Sequence, residues 1–304
     1  MPAAIETEAL TKRYGSAVVL DRLDLAVDAG EVFGYLGPNG AGKSTTISLL
    51  LGLIRATSGR ARIFGLDAQA KGAEVHRRLA YVPSVANLWP SLTGGETIGL
   101  LANLHGSVDE GYRDELIERF ELTPDKKNRA YSHGNRQKVV LIAAFACRAD
   151  LLLLDEPTTG LDPLMEQVFR DCVTQARERG QTVFLSSHIL SEVDAVCDRV
   201  AMLRAGRIIE TGRLDDLRGL AAVKVRARFT DVVPDVSSVP GVTHVEVDGQ
   251  TLECDVEGTI QPLLEVLARA GVEHLTTREP SLEELFMHRY GDDASADQPV
   301  GADA

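Results

Sequence analysis

The chain has 304 residues, 44% of them hydrophobic, enough for one large domain and a small one. A formal net charge of −13 argues against nucleic acid as the main partner and against broad electrostatic attachment to an anionic membrane surface. Four widely spaced cysteines (Cys147, Cys172, Cys197 and Cys254) with no C-x-x-C read as reduced core thiols, and exclude a disulfide frame or a zinc site.

The opening MPAAIETEAL has neither a basic region nor an apolar core, so no secretory leader is expected there. Residues 4–36 alternate in short runs that predict two antiparallel strands and then a short buried strand over Glu31–Leu36. That strand runs into Gly37-Pro38-Asn39-Gly40-Ala41-Gly42-Lys43-Ser44-Thr45, which fits the P-loop pattern G-x-x-x-x-G-K-[ST]. Its glycines let backbone N–H groups turn inward and cradle phosphate oxygens. Lys43 is placed to reach the β- and γ-phosphates of a nucleotide, and the Ser44 hydroxyl to ligate Mg²⁺. Ile47, Leu50, Leu51 and Ile54 follow at helical spacing, so a helix aims its positive N-terminal end at the anion. A glycine-rich turn with an accidental lysine would not bring both flanks with it.

Helical patterns dominate 72–120, with Arg113–Phe120 the clearest. Tyr131-Ser132-His133-Gly134-Asn135-Arg136-Gln137 leads into the helical run Lys138–Arg148. Ser132 is a plausible N-cap and Gly134 permits close backbone approach, which reads either as plain capping or as a second anion-facing helix end. The longest apolar stretch, Val139–Cys147, is far too short to cross a bilayer. Leu151–Leu154 and Val183–Leu185 are unbroken apolar runs, suited to parallel strands buried on both faces, and Glu166–Arg179 reads as the crossover helix between them. The set predicts an α/β domain with a mainly parallel sheet. Asp155 closes the first run and suits a carboxylate holding Mg²⁺ through water, while Glu156 beside it suits the orientation of an attacking water. His188 follows the second run, on the edge of the sheet where ligands bind.

Past Gly219 the pattern changes. Ala222–Phe229 alternates as a strand, and Val242–Val247 and Thr251–Val256 flank the hairpin signal Asp248-Gly249. A helix over Ile260–Ala270 and a strand over Glu273–Thr277 follow. With a short helix at Pro234–Ser238, the order β-α-β-β-α-β predicts a ferredoxin-like unit. Ser281–Arg289 starts as a capping-box helix, Ser281 standing three residues before Glu284. The tail after Gly291 is acidic and reads as disordered. The domains expected are 1–218, 219–291 and a tail over 292–304.

In combination these motifs resemble the nucleotide-binding subunit of an ABC transporter, over roughly residues 4–215. Gly37–Thr45 matches the Walker A motif, and Leu151–Glu156 matches Walker B with the catalytic glutamate. Gly160-Leu161-Asp162 resembles the D-loop and His188 the switch histidine. Tyr14 matches the aromatic residue that stacks on adenine. Two departures stand out. The signature LSGGQ is here Tyr131-Ser132-His133-Gly134-Asn135, and Ser84 occupies the place of the Q-loop glutamine. The C-terminal segment Glu279–Phe286 resembles the extension of drug- and antibiotic-export ATPases of the daunorubicin-resistance type. Asn87–Glu96 and Ser132–Lys138 look closer to tetronasin-type exporters.

The resemblance implies a P-loop ATPase domain with an antiparallel β subdomain and a helical subdomain, and ATP and Mg²⁺ as ligands. It implies catalytic roles for Lys43, Glu156 and His188, and metal ligation through Ser44 and Asp155. Ser132, Gly134 and Asp162 would face nucleotide across a head-to-tail dimer of two such domains. A separate transmembrane permease subunit would be energised from the cytoplasmic face of the membrane, with Leu88-Trp89-Pro90 as its docking surface unless Trp89 belongs to the core. The rival class is a soluble ABC-type regulator that hydrolyses weakly. The single P-loop argues against ABC proteins carrying two fused nucleotide domains. No heptad insertion marks a DNA-repair ATPase, and no N-K-x-D guanine reader marks a GTPase.

Overall fold

The computed structural model describes residues 3–104, 106, 108–219 and 222–278. The expected helix at Ser281–Arg289 and the acidic tail lie outside them. The chain divides after Gly212 into two compact units.

The first unit opens with two long antiparallel strands, β1 (Ala3–Tyr14) and β2 (Ala17–Asp28). Next come β3 (Val32–Leu36), helix α1 (Lys43–Leu50), β4 (Ser58–Ile63), β5 (Leu66–Asp67), α2 (Gly72–His76) and β6 (Leu79–Val82). Helices α3 (Gly94–Asn103), α4 (Glu110–Arg119) and α5 (His133–Ala146) then run to β7 (Leu151–Asp155), α6 (Pro163–Glu178) and β8 (Thr182–Ser187). Helix α7 (Leu190–Asp194) and strands β9 (Arg199–Arg204) and β10 (Arg207–Arg213) complete the series.

Two sheets result. One has the order β2-β1-β4-β5, the other β10-β9-β3-β8-β7-β6. In the second, β3, β8, β7, β6 and β9 pair in parallel, and β3, β7 and β8 are buried along their whole length. That is why their sequences read as unbroken apolar runs. Between the sheets a single core joins Ile5, Leu23 and Ile63 to Phe33, Tyr35, Leu151 and Phe184. Each side chain of this size contributes about 1.5–3 kcal/mol on burial. The Tyr35 hydroxyl is satisfied inside the core by Thr46 Oγ1 at 3.0 Å, which ties β3 to α1 across the P-loop.

The helical part is built on caps. Thr93 and Glu96 form a reciprocal capping box on α3, Asp109 caps α4, and Ser132 caps α5 through the Asn135 N–H at 3.3 Å. The buried Asn128 donates to Trp89 O at 2.9 Å and to Thr97 Oγ1 at 2.7 Å, pinning the loop before α3.

The second unit contains α8 (Leu214–Gly219), β11 (Val223–Phe229), β12 (Val242–Asp248), β13 (Thr251–Val256), α9 (Gln261–Arg269) and β14 (Val272–Arg278). Its sheet order is β12-β13-β11-β14 with every pairing antiparallel. That is the strand order of a ferredoxin-like unit, but the expected helix at Pro234–Ser238 is absent. Prolines at 234 and 240 bracket the segment, and Asp235 accepts from the Ser237 N–H at 2.9 Å in a local turn that competes with a helix. Val236 instead plugs the core beside Val225, Phe229, Leu252 and Leu263.

Candidate functional site: a phosphate loop, an acidic strand end and a histidine

Strands β3, β7 and β8 lie side by side in the sheet and deliver three loops to one edge. The first is Gly37–Gly42. Its tip, Pro38, Asn39 and Gly40, is exposed, while Ala41, Gly42 and Lys43 are buried. The Ala41 N–H donates to Pro38 O at 3.1 Å and closes the turn. Two glycines are required sterically. At Gly37 a Cβ would stand 2.5 Å from Leu203 O, and Gly42 combines φ of 114° with Leu20 Cδ2 2.7 Å from where its Cβ would lie.

Lys43 opens α1 and folds its ammonium back into the loop. It donates to Gly37 O at 2.7 Å and to Pro38 O at 3.3 Å, and lies 3.5 Å from Glu156 Oε1. Next to it, Ser44 is exposed and Thr45 half-buried at the head of α1. The Ser44 side chain stands near the Asp155 carboxylate at the end of β7 and favours its charged form. Asp155 is only 3% exposed and also accepts from Ser186 Oγ at 2.5 Å. Burial holds its carboxyl above the ordinary carboxylate value, against the hydrogen bond from Ser186 and the nearby Ser44 side chain. A buried carboxylate beside an exposed hydroxyl is a hard oxygen donor pair that fits Mg²⁺.

Glu156 is forced into the left-handed region, with φ of 46°. That costs on the order of 1–3 kcal/mol in a residue with a side chain, and such strain gathers at functional sites. Its N–H is anchored on Ser186 O at 3.0 Å, and its Oε1 lies 3.2 Å from His188 Nδ1. The lysine and the histidine therefore converge on one carboxylate oxygen of Glu156. Glu192 on α7, which sequence reasoning missed, locks the arrangement. Its carboxylate accepts from Thr158 Oγ1 at 2.5 Å and from Ser187 Oγ at 2.8 Å, tying the loop of Glu156 to the loop of His188. The available signal was an acidic residue four positions after His188, at the start of a short helical pattern.

The remaining expected residues lie apart from this cluster. Tyr14 ends β1, about half exposed, with the Lys12 ammonium 4.7 Å above its ring, and makes no hydrogen bond or ring contact with Gly37–Thr45 among the described residues. Ser132 is exposed at the head of α5. The close approach expected at Gly134 is real but internal. A Cβ there would lie 2.2 Å from Gly160 O, so α5 packs on the loop after Glu156 in the same chain. Asp162 caps α6, accepting from the Leu164 and Met165 N–H groups at 3.1 Å each. Ser84 follows Pro83, whose carbonyl accepts from the buried Gln137 of α5 at 3.1 Å, so the chain beside Ser84 is bonded to the helix that begins in the altered signature. Trp89 is 51% exposed, which removes the core reading.

Among known families, the one described as ABC transporter matches residues 20–159. The chain is 36% identical to the daunorubicin/doxorubicin resistance ATP-binding protein DrrA of Streptomyces peucetius, over 97% of this chain and 96% of that one. It is 32% identical to the Nod factor export ATP-binding protein I of Rhizobium meliloti (strain 1021), over 95% and 88%. The solved ATP-binding subunit of an ABC transporter superposes with a TM-score of 0.66 at 32% identity, over 71% of this chain and 92% of that one. The chain belongs to the ATP-binding subunits of the ABC transporter family and is an ATPase.

Proposed function

We propose that the chain binds Mg-ATP at Gly37–Thr45, hydrolyses it, and drives export of a drug, antibiotic or other lipophilic compound through a separate transmembrane permease subunit. The hydrolysis half rests on one observation: the Lys43, Ser44, Asp155, Glu156 and His188 cluster at a single sheet edge. The export half rests on likeness to two export and resistance ATPases that runs through both units of the chain.

Phosphoryl transfer to water calls for charge neutralisation and positioning more than covalent help. In this reading the loop N–H groups and Lys43 hold the β- and γ-phosphates, and Lys43 exchanges its contacts with Gly37 O and Pro38 O for phosphate oxygens. Ser44 and Asp155 would hold Mg²⁺, which supplies charge neutralisation to the phosphates. Glu156 Oε1 takes the proton of the attacking water, and His188 orients that water against the γ-phosphate. Tyr14 stacks on adenine. A second copy lays its exposed Ser132, with Gly134 and Asp162, over the nucleotide in a two-fold, head-to-tail pair.

The permease would hold the chain at the inner face of the membrane, since no helix among the described residues is long and apolar enough to cross it. Its docking surface is the loop of Trp89. Tyr81, at the head of the same segment, lines an apolar hollow of about 360 Å³ with Leu53, Leu104 and Val140, suited to a short amphipathic helix of the permease.

Purification from detergent-solubilised membranes tests the reading. A membrane chain should co-purify, and phosphate release by the complex should fall on the order of 10²-fold or more in Lys43→Ala. Turnover with no attached membrane chain would favour the regulatory ATPase. Unchanged turnover in Lys43→Ala would contradict the site.

A further inference from the structure

His133 of the altered signature has no part in the nucleotide site described above. It stands where the pattern LSGGQ carries its first glycine, opens α5, and is half-buried. Neither ring nitrogen has a hydrogen-bond partner among the described residues. The ring is packed instead on Gly160, in the loop that follows Glu156. A Cβ on Gly160 would stand 2.7 Å from His133 Cδ2 and 3.6 Å from Nε2, and Gly160 has φ of 81°. A side chain at 160 would therefore meet the ring and strain the backbone. The next residue of α5, Gly134, approaches the Gly160 carbonyl, where its own Cβ would lie 2.2 Å from the oxygen. The head of α5 thus holds both the Cα and the carbonyl of Gly160.

The loop passes this contact on to Glu156. It consists of two overlapping turns: the Thr159 N–H donates to Glu156 O at 3.2 Å, and the Leu161 N–H to Thr158 O at 2.9 Å. Gly160 is the third residue of the second turn, the place where a positive φ is needed. Thr158, shared by both turns, is buried and fixed on Glu192. Glu156 itself has φ of 46°, a conformation that persists only while the surroundings impose it. We infer that His133 is a positioning residue for hydrolysis. Its ring, seated on Gly160, sets the turns that keep the Glu156 carboxylate 3.5 Å from Lys43 Nζ and 3.2 Å from His188 Nδ1. A glycine at 133 would leave Gly160 without that support. The contact uses the shape of the ring and neither of its nitrogens, so a ring of similar size serves equally. The inference rests on the proposed role of Glu156 as the group that takes the proton of the attacking water.

Steady-state phosphate release by the full chain tests this. In His133→Ala, kcat should fall roughly tenfold with the KM for ATP unchanged, as for a displaced reacting group. His133→Phe keeps a flat ring without nitrogens and should keep most of the wild-type kcat. Gly160→Ala should also be slow, because its methyl group meets the ring. The double variant His133→Ala, Gly160→Ala should be no slower than Gly160→Ala alone, since both changes act through one contact. Wild-type kcat in His133→Ala, or a raised KM at unchanged kcat, would overturn the inference. Equal losses in the Phe and Ala variants would overturn it too, by assigning the effect to the nitrogens. So would losses that multiply in the double variant. Wild-type turnover in Glu156→Gln is a separate outcome, which would remove the role of Glu156 and the inference with it. If His133→Ala fails to fold by circular dichroism, His133→Gly takes its place with the same expected fall.

Discussion

Asp155 carries a cost that the proposed Mg²⁺ would offset. Burial raises its carboxyl above the ordinary carboxylate value. Below that ordinary value the group is protonated in both folded and unfolded chains and costs nothing. As pH rises through the raised folded value, the fold must hold a charge it disfavours, and stability is lost. At neutral pH without magnesium, Asp155→Asn should therefore match or exceed the wild-type melting temperature, while magnesium-dependent turnover falls on the order of 10²-fold. Thermal melts and phosphate release read both. A variant that melts several degrees lower and keeps its turnover would show Asp155 to be structural. Lys43, Ser44, Asp155, Glu156 and His188 were all legible as residue types in known spacings. Glu192 and Ser186 were not, because their roles depend on which loops the sheet brings together, and no spacing reports that.

At the scale of elements, two contacts control the loop after β7. Gly134 at the head of α5 leaves no room for a methyl group against Gly160 O. Gly134→Ala should push that loop away, destabilise the unit by about 1–3 kcal/mol, and reduce turnover. Urea unfolding measures the first effect, and wild-type stability would refute the contact. Glu192 holds the same loop to the strand end that bears His188. Glu192→Gln loses the charge that shortens those hydrogen bonds, and kcat should fall by about 10- to 10²-fold with ATP affinity unchanged, as for misplaced reacting groups. A matching loss of affinity would assign Glu192 to binding instead. The buried strands β3, β7 and β8 were readable because they are apolar throughout. The short strands β4, β5 and β10 were not, because their mixed, largely unburied sequences carry no clean period, and the largely buried β6 and β9 were not read either. The helix expected at Pro234–Ser238 failed because turn chemistry at Asp235 outweighed the topological analogy.

For the molecule as a whole, the proposed site is divided. One chain supplies the phosphate loop, the acidic end of β7 and the histidine at one sheet edge. Ser132 stands exposed and apart, at the head of α5. It caps α5 through the Asn135 N–H, and in the proposed reading it also faces the nucleotide held by a second copy. The strand order of the second unit was also legible, from the Asp248-Gly249 hairpin and the alternating strands around it. The most direct measurement is light scattering of Glu156→Gln with Mg-ATP, alongside phosphate release. With the water-activating carboxylate neutralised, the mass should double on adding Mg-ATP and stay doubled while phosphate release falls to background. A monomer that releases phosphate at the wild-type rate would contradict the account.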